Sequence, residues 1–235
     1  MQPHGQEHPF VPPFHAAIYP PMAGHVQQIL AVRAGGGQRR PMLPRLLALV
    51  LGALALAALR TQFDVMPPAD LGAKLWRLAG FFTILTNVLV AGHMLAIAQG
   101  WQISASRAAG LVVSIVMVGL VYHAVLARLW APQGLAWWAD QGLHTAVPLA
   151  TALWWLAFAP KDVVWRDLPV WLIWPLAYCV YAVTRGLATG FWPYPFLDID
   201  TLGPGLVAVN IAGLVLSFAA LGAGLVLLAR RIRSV

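Results

Sequence analysis

Hydroxyl, amide and imidazole side chains inside one apolar stretch are the residues of this sequence best suited to chemistry. The stretch from Leu78 to Gln99 carries Thr83, Thr86, Asn87 and His93. At 100° per residue, these four side chains share one helical stripe that is about 120° wide. Polar groups in hydrocarbon need partners, so the stripe must face a protein interior. It predicts either a reaction site or a hydrogen-bonded seam between helices.

Polar residues on other apolar segments are predicted to reach the same depth. They are His123, His144, Tyr178, Tyr181, Arg185 and Asn210. A hydroxyl is a poor nucleophile until a base takes its proton, and histidine is the side chain best suited to that task. A threonine of the second span and a histidine of the third or fourth could therefore form a nucleophile–base pair. Asn87, Asn210 or Arg185 could hold the oxyanion.

Each of these residues also has a purely structural explanation. Threonines in membrane helices commonly bond the carbonyl one turn back, and asparagines join neighbouring helices. Arginine near a helix end can extend to the lipid headgroups, which applies to Arg185. His93 is isolated and deep, which favours a packed histidine. A site and a hydrogen-bonded seam both stay open at this stage.

Composition indicates an integral membrane protein. Apolar residues make up 60% of the chain and charged residues 10%, with 11 tryptophans and a mean hydropathy of +0.73. The net charge of +7 would suggest nucleic acid for a soluble chain, but the arginines cluster at the ends of apolar segments. We therefore expect membrane lipid and no nucleic acid as partners. The single Cys179 excludes an internal disulfide, and no motif indicates a metal or cofactor.

Six apolar segments predict an all-α bundle of six transmembrane helices with both termini in the cytoplasm. A bilayer crossing needs about 20 residues. The predicted spans are Met42–Phe63, 76–98, 107–130, 142–159, 169–187 and 205–228. With both ends inside, the cytoplasmic side carries the larger share of the Lys and Arg residues, as the positive-inside rule requires. This pattern predicts a multi-pass membrane protein.

The predicted organisation has three parts, and the polar pocket lies in the second. They are a flexible tail rich in Pro, Gly and His (1–41), a six-helix transmembrane domain (42–230) and a basic C-terminal end (231–235). The loop after the fifth span is rich in proline and aromatic residues and could cover an outward-facing pocket. The predicted substrate contacts are Asn87, His123, Tyr181, Arg185, Tyr194, Asp198 and Asn210.

Five segments together resemble a bacterial six-span membrane-protein family of unassigned function. They are Phe81-Phe-Thr-Ile-Leu-Thr-Asn87, Tyr122-His123, Leu143-His-Thr-Ala-Val-Pro148, Arg185-Gly186 and Tyr194-Pro-Phe-Leu-Asp198. More remotely, the chain resembles the androgen-induced-protein-like threonine hydrolases, which cleave fatty-acid esters of hydroxy fatty acids. That resemblance implies Thr83, or alternatively Thr86, as the nucleophile and His144 as the base. The resemblance to the bacterial family implies the inner membrane of a bacterium as the location. The Tyr-Pro-Phe-Leu-Asp motif departs from the eukaryotic pattern.

Two functions therefore compete. The first is a lipid-ester hydrolase with Thr83 or Thr86 as nucleophile, His144 as base, and Asn87 and His123 in support. The second is a membrane protein that binds or transports a lipid or a small solute without chemistry. The distance from the threonine hydroxyl to the imidazole separates them, because catalysis needs hydrogen-bond reach, about 2.6–3.2 Å and looser without ligand.

Overall fold

A computed structural model of the protein describes residues 42–233. Within that range every regular element is a helix or a helical turn. The helices are α1 (Met42–Asp64), α2 (Leu71–Leu78), α3 (Phe82–Ala98), α4 (Ala105–Val121), α5 (Leu135–Gln141), α6 (Val147–Phe158), α7 (Leu168–Thr189) and α8 (Ile199–Arg233). The predictions for the tail (1–41) and for the last two residues lie outside the described part of the chain.

Four helices are long and apolar enough to cross a membrane. They cover Met42–Asp64, Ala105–Leu126, Trp165–Thr189 and Ile199–Arg233, and the bent pair α2–α3 is a fifth if it counts as one span. The all-helical membrane class is thereby confirmed. The predicted span 142–159 is not among these segments, although Leu135–Phe158 is helical without a break. Polar residues and a proline in its first half, such as His144 and Pro148, lower its hydropathy.

The predicted second span does not run straight. The chain turns by 95° between α2 and α3, so the predicted span 76–98 contains the end of α2, a corner at 79–81 and the whole of α3. Gly80 lies in the corner. A Cβ atom added there would lie 2.6 Å from the Phe191 ring and 2.9 Å from the Arg185 guanidinium. Glycine is therefore required by the close approach of neighbouring side chains.

Helix α7 supplies the hydrogen bonds that this corner needs. Three of its side chains donate to corner carbonyls: Tyr178 to Gly80 at 2.7 Å, Tyr181 to Ala79 at 3.1 Å and Arg185 to Trp76 at 2.7 Å. Broken helices are tolerated at membrane depth only where protein groups satisfy the freed backbone. The i, i+3, i+7 spacing of these side chains along α7 thus matches the three carbonyls of the corner.

The centre of the bundle is α4. In its apolar window 56% of the residues are buried, compared with 28% in α1 and 17% in α8. Val113 and Ile115 of α4 are almost completely buried, and α3, α6, α7 and α8 pack around them. The outer faces of α1 and α8 instead present exposed Leu and Val side chains. Such faces are suited to lipid.

Two π-helical turns interrupt the regular helices. Tyr122–Leu126 continues α4, and Gly142–Ala146 joins α5 to α6. A π-turn adds one residue to a helical turn and is frequent at functional sites. Each of these two turns carries a histidine, His123 or His144. The second turn packs against α1, because Gly142 leaves room for Ala58.

The loop between α7 and α8 is held at both ends. Gly190 ends α7 in the left-handed region (φ 68°), where glycine is favoured. Leu197 is fully buried, and Asn210 of α8 donates to the Phe196 carbonyl at 2.9 Å. Helix α8 then breaks at Gly203, which has a φ of 75°. The loop is therefore a packed part of the bundle.

Candidate functional site

A pocket of about 600 Å³ opens at the end of the bundle where α1, α4 and α7 end. The α2–α3 corner, the π-turn after α4, the α5–α6 helix and the loop after α7 form its walls. Its polar lining includes Thr83, Tyr122, Asp140, His144 and Tyr194. The pocket thus brings together three residues that the sequence singles out, Thr83, His144 and Tyr194.

His144 is fixed by Asp140, one turn earlier. Its Nδ1 lies 3.0 Å from the Asp140 carbonyl oxygen and 3.2 Å from the Asp140 Oδ1. Two acceptors around Nδ1 require that this nitrogen carry the hydrogen, so the lone pair of the neutral imidazole is on Nε2. Within residues 42–233 no side chain or carbonyl bonds to Nε2. The ring also stacks on Tyr122 with centroids 3.9 Å apart.

The Asp140 carboxylate is buried, with 3% of the residue exposed. Besides His144, it accepts hydrogen bonds from Tyr122 Oη at 2.5 Å, Trp130 Nε1 at 3.4 Å and Gln141 Nε2 at 3.4 Å. Burial alone would raise the pKa of Asp140, but the hydrogen bonds from His144 and Tyr122 lower it below its ordinary value. The carboxylate is therefore ionised at neutral pH. Asp140 is not among the residues predicted from the sequence, although its i, i+4 spacing from His144 was a usable signal.

Thr83 lies in the first turn of α3, beside Tyr194. The Tyr194 hydroxyl accepts the Thr83 backbone N–H at 3.4 Å, a donor that has no partner within the helix so close to its start. The same phenol interacts with the Thr83 side chain. Tyr194 is 8% exposed, and burial raises its pKa. The phenol therefore stays neutral and can donate a hydrogen bond.

The two predicted functions differ in whether a threonine hydroxyl contacts a histidine imidazole, and the structure shows no such direct contact. Among the described residues, no hydrogen bond joins the Thr83 or Thr86 hydroxyl to His123 or His144. Thr86 is fully buried and accepts from Trp174 Nε1 at 3.1 Å, away from the pocket wall. Thr83 is thus the threonine that shares the pocket with His144.

His123 lies outside this pocket. It is exposed, and its Nε2 lies 3.0 Å from Thr145 Oγ1. The Thr145 hydroxyl donates its hydrogen to Gln141 Oε1 at 3.1 Å, so the His123 nitrogen must be the donor of the first bond. In this arrangement His123 cannot act as a base toward Thr145.

Asn87 lies beneath the pocket and links its two sides. The residue is fully buried, and its Nδ2 donates to the Thr83 carbonyl at 2.9 Å and to the Leu143 carbonyl at 3.3 Å. Leu143 directly precedes His144. The amide therefore fixes the start of α3 relative to the π-turn. Its Oδ1 is buried and has no partner among the described residues.

The other predicted substrate contacts do not line the large pocket. Tyr181 and Arg185 hold the α2–α3 corner, and Arg185 is stacked 4.1 Å from the Trp76 ring. Asp198 accepts the backbone N–H of Thr201 at 3.0 Å and the Thr201 hydroxyl at 2.8 Å. Asn210 anchors the loop through a backbone carbonyl. These four residues position the walls.

A smaller apolar cavity of about 50 Å³ adjoins the pocket. Thr83, Leu126 and Tyr194 line both spaces. The rest of its lining is aromatic and aliphatic and comes from α3, α4, α7 and α8, for example Phe82 and Phe218. No group of three or more candidate metal ligands occurs in the part of the chain that the structure describes.

No protein-family model, curated protein or solved structure matches this chain. The resemblance to the bacterial six-span family and to the threonine hydrolases therefore stays a prediction. The function has to be argued from the geometry of the site itself.

Proposed function

We propose that this protein is a lipid-ester hydrolase in which Thr83 is the nucleophile, His144 is the base and Asp140 orients the base. One observation supports the proposal: a histidine that is fixed by a buried carboxylate lines the same pocket as a threonine. A nucleophile, a base and a group that orients the base are the arrangement expected of covalent hydrolysis.

The reaction would proceed in two balanced halves. His144 Nε2 takes the proton of the Thr83 hydroxyl as its oxygen attacks the ester carbonyl, and the imidazolium then protonates the departing alkoxide. This leaves an acyl-threonine and a free alcohol. In the second half, His144 takes a proton from water, the hydroxide attacks the acyl carbon, and the proton returns to Thr83. The products are a carboxylic acid, an alcohol and the unchanged enzyme.

Two groups support these steps by their position. The neutral Tyr194 phenol lies beside Thr83 and is suited to donate a hydrogen bond to the oxyanion of the tetrahedral intermediate. The ionised Asp140 stabilises the imidazolium that forms when His144 accepts a proton. The pocket, at about 600 Å³, gives room for an ester between Thr83 and His144. Binding must bring the hydroxyl and Nε2 within hydrogen-bond reach.

The proposed setting is the inner membrane of a bacterium, with six spans and both termini in the cytoplasm. Because Leu135–Phe158 is helical throughout, the predicted span 142–159 is an unbroken helix as far as Phe158. It serves as the sixth crossing, with residues 135–141 at the outer surface. Exposed tryptophans at the pocket end, such as Trp130 and Trp138, suit an interfacial position. In this orientation the pocket opens toward the outer surface.

Paired variants test the hydrolase. Thr83→Ala and His144→Ala should each lower hydrolysis of a panel of long-chain lipid esters by about 10³-fold or more and abolish labelling by a fluorophosphonate. Thr145→Ala and His123→Ala are matched controls, because that pair lies outside the pocket, and they should retain activity. Full labelling in Thr83→Ala or His144→Ala protein that is folded would refute the proposal.

A second function is favoured by one observation, the lack of a direct bond between the threonine hydroxyl and His144. A pocket that binds or carries a lipid or a small solute needs no such bond. That function predicts a ligand that is recovered chemically unchanged after incubation with the purified protein. Release of the alcohol and acid from a bound ester would exclude it.

A further inference from the structure

The mouth of the large pocket carries a positive charge that the protein leaves uncompensated. Arg77, in the last turn of α2, lines the pocket and is exposed. Within residues 42–233 no carboxylate forms an ion pair with its guanidinium. Its nearest aromatic neighbour is Phe191, with the guanidinium carbon 5.9 Å from the ring centre. The guanidinium is therefore available to a ligand.

Asp140 forms no ion pair with Arg77. Its two carboxylate oxygens accept hydrogen bonds from Tyr122, Trp130, Gln141 and His144. The carboxylate keeps its negative charge, but it does not occupy the N–H donors of the Arg77 guanidinium. Among the residues that line the pocket near α2, Arg77 therefore supplies the free cationic donors.

The wall of the pocket around Thr83 is apolar. Phe81, Ile84, Leu126 and Leu143 line the pocket there, and the small cavity lined by Phe82 and Phe218 lies beside it. An alkyl chain gains free energy by entering such a space, at about 0.8 kcal/mol per buried methylene group. A polar or charged group there would lose its hydration without gaining a partner.

From this polarity we infer that the pocket takes a single-chain amphiphile with an anionic group, a carboxylate or a phosphate, which Arg77 holds at the mouth. The alkyl chain then lies along the apolar wall of the pocket toward Thr83. This inference names the ligand class of the proposed hydrolase and rests on that proposal only for the position of the scissile ester. Arg77 acts as a specificity-determining residue because a guanidinium binds both anions in a bidentate manner.

Ligand retention tests the inference without any hydrolysis. Purified protein in a neutral detergent is incubated with palmitate, hexadecyl phosphate or uncharged methyl palmitate, and bound ligand is counted by native mass spectrometry. We expect the wild type to retain one or both anions about two- to fivefold more than methyl palmitate, since an exposed ion pair contributes up to about 1 kcal/mol. Retention of one anion or of both supports the inference and identifies the group that Arg77 recognises.

Substitutions locate the effect. Arg77→Gln should remove the preference for the anion while leaving methyl palmitate retention unchanged. Arg60→Gln is the matched control, because Arg60 lies at the same end of the bundle but pairs with Asp64 at 2.7 Å and does not line the pocket. Equal retention of anions and methyl palmitate by the wild type, or an unchanged preference in Arg77→Gln, would overturn the inference.

The two proposals fail separately. Charge-selective retention without any ester hydrolysis would support the ligand class and reject the hydrolase. Ester hydrolysis without charge-selective retention would support the hydrolase and reject the role of Arg77.

Discussion

Asp140 contacts the same nitrogen of His144 twice, through its backbone carbonyl at 3.0 Å and its carboxylate at 3.2 Å. The helix provides the first contact because residues four apart lie on one face. The second depends on a carboxylate at this position, and it selects the tautomer with the hydrogen on Nδ1. A side chain that had no place in the sequence-based site thus determines which nitrogen of His144 can act as a base.

Asp140→Asn tests this positioning role. The amide removes the negative charge that stabilises an imidazolium, and its NH₂ group can pair with the wrong tautomer. We expect kcat for ester hydrolysis to fall by about 10²- to 10⁴-fold with little change in KM. Asp64→Asn serves as the control, since Asp64 forms an exposed pair with Arg60 and should leave kcat unchanged. An equal loss of kcat in both variants would contradict the assignment.

The lowered pKa of Asp140 also predicts how stability depends on pH. Its carboxyl binds a proton less readily in the folded protein than in the unfolded chain. The stabilisation is therefore complete above the pKa of the unfolded chain, and it is lost as the pH falls through the lower folded value. Thermal unfolding in detergent should show a wild-type advantage over Asp140→Asn that is constant near neutrality and shrinks under acid. If the wild-type advantage in stability instead grew under acid, the direction of the Asp140 pKa shift would be contradicted.

The sequence predicted the class of the protein and three residues of the pocket for a physical reason. Long apolar segments are required by the bilayer thickness, and polar residues within them must face protein. That reasoning led to a threonine of the second span and a histidine of the third or fourth span. The resemblance to the threonine hydrolases implied Thr83 and His144 in particular, and Tyr194 was predicted from the loop that could cover the pocket. The sequence could not separate Thr83 from Thr86, because both lie on the same stripe of α3 and the choice depends on Trp174, which occupies Thr86.

Other features lay beyond such patterns. Hydropathy depends on residue types and not on the path of the backbone. The 95° bend between α2 and α3 therefore leaves no mark in the hydropathy of the second predicted span. A helical wheel assumes 100° per residue, but His123 and His144 each lie in a π-turn that shifts the phase by one residue. This shift is why the exposure of His123 and the pocket position of His144 were not distinguished.

Two glycines give a matched test of the α2–α3 corner. Gly80→Ala would insert a methyl group 2.6 Å from Phe191, so we expect a loss of about 1–3 kcal/mol in the free energy of unfolding and a distorted pocket wall. Gly92→Ala, in α3, meets nothing within 4 Å and should be neutral or stabilising by up to about 1 kcal/mol. Denaturant or thermal unfolding of both variants measures the difference. Similar stability of the two would show that the corner tolerates a side chain.

Asn87 provides the last prediction, because it separates positioning from contact with the ligand. Asn87→Ala removes the donor that joins the Thr83 and Leu143 carbonyls and leaves the Leu143 carbonyl buried without that partner. We expect a loss of about 1–3 kcal/mol in stability and a lower kcat, since Thr83 and His144 lose their common support.

Retention of palmitate should change less than kcat in this variant, because Asn87 does not line the pocket. Ser114→Ala is a suitable control, as Ser114 is also buried but bonds only to the Gly110 carbonyl one turn back in α4. It should cost little stability and leave kcat unchanged. Asn87→Ala could instead abolish retention of palmitate while kcat per bound ligand stays normal. Asn87 would then be a ligand contact, and its hydrogen bonds between α3 and the π-turn would have no effect on catalysis.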